Sequence, residues 1–115
     1  MLQKANWAVV GDVTSPRKPA HAVLARLKDA GKNAVGVNPR DRSGTLAKSL
    51  AELTYQVDVI DLIINSKVGI DALKEAAECG IKDIFIQPGA SSEEIEAYCE
   101  AAGMRIHHGC VLREL

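Results

Sequence analysis

The chain has 115 residues, 47% of them apolar, which is enough for one hydrophobic core and near the commonest domain size, so one domain over residues 1–115 is expected. Fourteen basic and fifteen acidic side chains give a formal net charge of −1, which excludes the broad positive field that a nucleic acid would need. No apolar run approaches membrane-spanning length, and Met1-Leu2-Gln3-Lys4-Ala5-Asn6 has no leader pattern, so a cytoplasmic chain without a membrane partner is expected.

The first predicted element is a strand, Trp7-Ala8-Val9-Val10-Gly11, an unbroken apolar run of the kind buried on both faces. A helix follows over residues 19–30, with Ala20, Val23, Leu24, Leu27 and Ala30 on one stripe. A second strand covers residues 33–37 and stops at Asn38-Pro39, because proline cannot donate to a strand ladder. Residues 40–44 are polar loop, and Ser49-Leu50-Ala51-Glu52-Leu53 reads as a capping box opening a short second helix. The third strand spans residues 57–64, apolar apart from Asp58 and Asp61. Ser66 is placed to cap a third helix with Leu73, Ala76 and Ala77 inward. The fourth strand is Ile84-Phe85-Ile86, and Ser91-Ser92-Glu93-Glu94 reads as a second capping box before Ile95, Tyr98, Cys99 and Ala102. A fifth strand covers residues 104–107.

Three helices end on a glycine, Gly31, Gly80 and Gly103, each followed within a few residues by an apolar run. Helix followed directly by strand is the grammar of a parallel sheet. The expected fold is α/β: a Rossmann-like, doubly wound open sheet of five parallel strands in the order 3-2-1-4-5, with helices on both faces. Ligands of such sheets bind beyond the carboxyl ends of the strands, where strand order reverses. The expected rim is therefore residues 11–18, Asn38-Pro39-Arg40, Asn65-Ser66, Gln87-Pro88-Gly89 and His108-Gly109-Cys110.

Within that rim, Gly11-Asp12-Val13-Thr14-Ser15-Pro16-Arg17-Lys18 feeds the start of the first helix. Backbone N–H groups and the positive end of the helix dipole make this an anion site, and Thr14, Ser15, Arg17 and Lys18 add donors suited to a pyrophosphate. The last predicted long helix begins with Glu93 and Glu94, which already satisfy its dipole. No G-x-G-x-x-G pattern is present, so a solvated basic loop is the competing reading. After the second strand, Asn38, Arg40 and Arg42 stand where NAD-binding folds place an acid, which suits a ribose bearing its own phosphate, as in NADP and coenzyme A; Asp41 leaves a solvated mixed-charge loop as the alternative.

Catalytic patterns are missing: there is no G-x-S-x-G elbow, H-E-x-x-H helix or acid/base carboxylate pair. His107 and His108, adjacent on a strand, point to opposite faces and cannot share a metal, and His21 reads as a surface histidine. Three widely spaced cysteines without a C-x-x-C pair argue against a disulfide framework or structural zinc. Cys79 and Cys99 read as packed thiols, whereas Cys110 lies on the rim, where it would meet a thiol ligand or be oxidised, unless it is a buried structural thiol.

The succession Ala8-Val9-Val10-Gly11, Ser15-Pro16, Lys18, Val37-Asn38-Pro39, Ser49-Leu50-Ala51-Glu52-Leu53, Val57-Asp58-Val59-Ile60-Asp61, Ile86-Gln87-Pro88-Gly89 and Cys110 resembles the small stand-alone CoA-binding proteins, which share the fold of the succinyl-CoA synthetase α-subunit nucleotide domain. The resemblance implies a non-catalytic domain binding coenzyme A or an acyl-CoA through its phosphorylated ADP portion. Gly11, Thr14, Ser15, Arg17 and Lys18 would hold the phosphates, and Asn38, Pro39 and Arg40 would lie near the phosphorylated ribose. Ile64, Asn65 and Ser66 would enclose the adenine, and the pantetheine arm would run across the sheet edge towards Gln87 and Cys110, with Gly89 also in the site. The chain departs from many relatives in carrying Ile64-Asn65-Ser66 in place of basic residues and His108-Gly109-Cys110 in place of an Asp-Arg-Cys ending. It also lacks the second domain in which the synthetase carries its phosphorylated histidine, so thioester synthesis is not expected. The alternatives are an NAD(P)-binding oxidoreductase-type domain and a regulatory or scaffold partner of a larger enzyme, with a protein partner or homo-oligomer left open.

Overall fold

In the computed structural model, residues 1–38, 50, 53 and 56–115 are described. The first apolar run lies inside the sheet. β1 (Asn6–Gly11) pairs in parallel with β2 (Asn33–Val37) on one side and β3 (Val59–Ile63) on the other. β4 (Asp83–Ile86) lies against β3, and β5 (Arg105–His108) against β4, also in parallel. The order is β2-β1-β3-β4-β5.

The fold class is the expected one, but the strand order corrects the expected 3-2-1-4-5. Among the described residues the third strand lies beside β1, not outside β2. In that place Val59, Ile60 and Leu62 are wholly buried, as befits an inner strand covered on both faces. The reversal of order still falls at β1, now between β1 and β3.

Side-chain alternation divides the core into two layers. On one face Trp7 and Val9 of β1, Val59 of β3 and Phe85 of β4 pack with Ala20, Val23 and Leu27 of α1 (Pro19–Asp29) and Val111 of α4 (Val111–Glu114). On the other, Ala8, Val10, Ile60, Leu62, Ile84 and Ile86 meet Leu73 and Ala76 of α2 (Ser66–Glu78) and Ile95 and Cys99 of α3 (Glu93–Ala102). The Trp7 and Phe85 rings meet at 5.9 Å, a tilted aromatic contact in the first layer.

The three predicted helix stops share one geometry. Gly31, Gly80 and Gly103 have φ of 83°, 76° and 72°. Just beyond them Lys32, Ile81 and Met104 donate backbone N–H bonds of 2.9–3.0 Å to Leu27, Ala76 and Cys99. This is the Schellman closure, which satisfies carbonyls left over at each helix end.

Several local expectations shift. The α2 cap is Asn65, whose side chain accepts from Val68 N, so the helix is capped one residue ahead of Ser66. Ser92 caps α3 by accepting from Ile95 N, and Ser91 donates to Glu96, so no reciprocal capping box forms. Ala77 and Cys79 are exposed, and Ala72 is buried where Ala77 was expected. Burial pushes the Cys99 thiol up to about 11, with Glu96 adding to the effect. The single-turn α4 was not anticipated. Of the short helix expected over residues 49–53 only Leu50 and Leu53 are described, with Leu53 N donating to Leu50 O at 3.1 Å.

One side chain breaks the apolar pattern. Asp61 lies mid-strand in β3, opposite Val9 and Phe85, and is completely buried, and among the described residues neither of its carboxylate oxygens has a hydrogen-bond partner. Burial pushes its carboxyl well above the usual carboxylate range.

Candidate functional site

The carboxyl ends of β1 and β3, at the reversal of strand order, open into a cleft of about 510 Å³. Its described lining comes from four segments that the sheet brings together. Asp12, Lys18, Pro19 and Ala20 follow β1, and Asn38 follows β2. Ile63, Ile64 and Asn65 join β3 to α2, and Pro88, Gly89 and Ala90 follow β4. This is where an open α/β sheet places its ligand.

The loop after β1 is clamped at two points. Gly11 packs so closely that a Cβ there would lie 2.5 Å from Ile63 O and 3.2 Å from the Ala20 Cβ. Two residues on, the buried Val13 fills the space beside Gly36, where a Cβ would stand 2.3 Å from Val13 Cγ2. Asp12 is held between them. The Thr14 hydroxyl donates to its Oδ1 at 3.1 Å and the Ser15 hydroxyl to its Oδ2 at 2.9 Å. The Ser15 bond above all holds the Asp12 carboxyl below its ordinary range, against the opposing effect of burial and with Thr14 assisting.

The loop ends at α1, whose start has no side-chain cap, Pro19 in its first turn and no acidic residue there. Such a start presents the positive end of the dipole without an internal counter-charge. α3 is the contrast, with Ser92 as cap and Glu93, Glu94 and Glu96 in its first turn. The floor of the cleft turns at Pro88-Gly89, where Ala90 N donates to Gln87 O at 3.1 Å and Gly89 takes φ 86°, a tight turn with glycine at the position that demands positive φ.

Of the residues singled out from sequence, Lys18, Asn38, Ile64, Asn65 and Gly89 line the cleft, and Gly11 forms its base through Ile63 and Ala20. Thr14, Ser15 and Arg17 lie in the same loop but not in the lining, and Ser66 opens α2 next to Asn65. Pro39 and Arg40 lie outside the described residues. Gln87 is buried and its Oε1 accepts from Val111 N at 3.0 Å, which ties β4 to α4. Cys110 is half-buried ahead of α4, its N–H donating to Glu114 Oε2 at 2.9 Å, and it does not line the cleft. His107 reaches Glu114 on one face of β5 and His108 reaches Glu96 on the other, so the pair diverges as alternation requires. Sequence reasoning missed Asp12 as a cleft residue, although its place between Gly11 and the hydroxyls was visible. Of the apolar walls, Pro88 belonged to the expected rim, whereas Ile63 and Ala90 carried no signal of their own. Among the described residues no cluster of three metal-ligating side chains occurs, and no helix is long and apolar enough to cross a membrane.

A cleft at the switch point of a doubly wound parallel sheet defines the Rossmann-like class of α/β domains. Within that class the chain belongs to the CoA-binding domain family, whose model matches residues 5–115. It is similar to a conserved hypothetical protein from Pyrococcus furiosus, 36% identical over 97% of this chain and 100% of the other, with a TM-score of 0.85. A hypothetical protein from Pyrococcus horikoshii shares the fold at 24% identity and a TM-score of 0.87, covering 97% and 82% of the two chains. The fold also recurs in an acetyl-coenzyme A synthetase from Ca. Korarchaeum cryptofilum, solved with phosphate and ADP. There 87% of this chain matches 24% of the larger one, at 23% identity and a TM-score of 0.67.

Proposed function

We propose that the chain is a single, non-catalytic, cytoplasmic domain that binds coenzyme A or an acyl-CoA through its phosphorylated ADP portion. The observation that carries this reading is the cleft itself, which meets an uncapped, acid-free helix start beside Lys18 in a chain of the CoA-binding domain family. The pyrophosphate sits at the start of α1, near Lys18 and the Thr14 and Ser15 hydroxyls. Asn38 and the following Pro39 and Arg40 serve the phosphorylated ribose, and Ile64 with Asn65 walls the adenine. The pantetheine arm leaves over Gly89. Gln87 and Cys110 act behind this site, supporting it through α4.

Isothermal titration of the reduced protein with CoA, NADP, NAD and ATP tests the reading. Saturable binding of CoA well above the others is the expected result. A preference for NADP would replace it with an oxidoreductase-type domain, and silence from all four would leave a protein partner as the ligand.

A further inference from the structure

The Thr14 and Ser15 hydroxyls, which serve phosphate in the reading above, are engaged by Asp12 in this structure. Asp12 itself lines the cleft with Lys18 and Asn65. Its two chain neighbours are both tightly packed. Gly11 on one side is pressed against Ile63 and Ala20, and Val13 on the other is seated over Gly36. Among the described residues no lysine or arginine forms an ion pair with Asp12. Hydrogen bonds from Ser15 and Thr14 hold its carboxyl below the ordinary carboxylate range. A negative charge is thus fixed beside the start of α1, where an anion is expected to sit.

We propose that Asp12 is a charge filter: it lets the cleft accept an internal pyrophosphate, with one negative charge per phosphate, and disfavours terminal phosphates, which carry close to two. The inference rests on the binding reading above and names the class of phosphate that the site takes. Repulsion from a fixed carboxylate grows in proportion to the charge it faces, whereas the helix start serves both kinds of phosphate alike. A terminal phosphate is close to a dianion at pH 7.5, because its second ionisation lies near pH 6. Each added charge at this position weakens binding roughly three- to tenfold for a solvent-facing site.

The test compares the wild type with Asp12→Asn and Asp12→Ala by titration with CoA, ADP and ATP at pH 7.5 and fixed ionic strength. Asparagine keeps the shape and an acceptor for one hydroxyl, so it isolates the charge; alanine removes charge and acceptor together. Circular dichroism checks that both variants are folded. In both variants the ADP and ATP affinities are expected to rise, and the CoA-to-ADP affinity ratio to fall roughly threefold or more. An unchanged ratio with CoA still bound overturns the filter and leaves the binding reading standing. Loss of affinity for every ligand also overturns it, since Asp12 would then position the loop or bridge to phosphate through a cation. If wild type and variants alike ignore all three nucleotides, the binding reading falls and the filter with it. Binding that appears only in the variants supports the filter.

Discussion

A buried carboxyl makes the sheet sensitive to pH. Burial raises the Asp61 carboxyl well above its ordinary value in the fold, whereas the unfolded chain ionises it near about 3.9, so the folded state holds the proton more tightly. Its contribution to stability is therefore fully present below about pH 4 and is lost as pH rises towards its elevated folded value, by about 1.4 kcal/mol per pH unit. Asp61→Leu, nearly the same shape, should remove that slope and raise stability at pH 7 by about 1–3 kcal/mol in urea titrations, because an unpaired polar group leaves the core. Wild type and variant unfolding with parallel pH profiles would refute this. At the cleft base, Gly11→Ala forces a methyl group into Ile63 and Ala20. It should lower stability by about 1–3 kcal/mol and weaken CoA binding by displacing cleft walls, measured by denaturation and calorimetry. At this scale the sequence was informative where a residue type carries its own constraint. Gly31, Gly80 and Gly103 were legible as helix stops because few other residues tolerate their φ. Gln87 was legible only as a polar rim residue, because its bond to Val111 joins positions 24 apart whose proximity depends on the whole sheet.

Helices entered the reading through periodicity, and that sets what could be seen. The runs of α1, α2 and α3 are long enough to show an apolar stripe, while the four residues of α4 are too few for any period. Yet α4 is anchored by several contacts besides the Gln87 bond to Val111 N. Val111 is wholly buried, Leu112 O accepts from Arg26 Nη1 at 3.2 Å, and Glu114 reaches His107 at 2.7 Å. The two capped helices separate stability from binding. Asn65→Ala and Ser92→Ala each remove a side-chain acceptor from a helix start and should each cost about 1 kcal/mol in chemical denaturation. Only Asn65 lines the cleft, so only Asn65→Ala should also weaken CoA binding. Equal effects of the two variants on CoA titrations would move the ligand out of this cleft.

Across the whole molecule, local signals set the class of fold but not the neighbour relations of the strands. Alternating strand and helix implied a parallel sheet, whereas the position of β3 beside β1 depends on which strands are covered on both faces, and only packing decides that. The near-neutral net charge hides a local attraction: with a basic Lys18 and a helix dipole at the cleft, CoA affinity should fall severalfold as sodium chloride is raised from about 0.05 to 0.5 M, with ADP less affected per added charge where Asp12 opposes it. Salt-independent titrations would exclude a phosphate grip at this place. The central position of β1 also governs the timing of assembly. Asn6 N bonds to Asp58 Oδ2, 52 residues further on, and Trp7 pairs with Val59 at the start of β3. During synthesis the first apolar strand therefore emerges long before its inner neighbour and has only β2 to pair with until half the chain has followed. A parallel sheet closed by such distant pairing is expected to fold slowly, and its nascent chain must keep Trp7, Val9 and Val10 from associating with other chains in the interval.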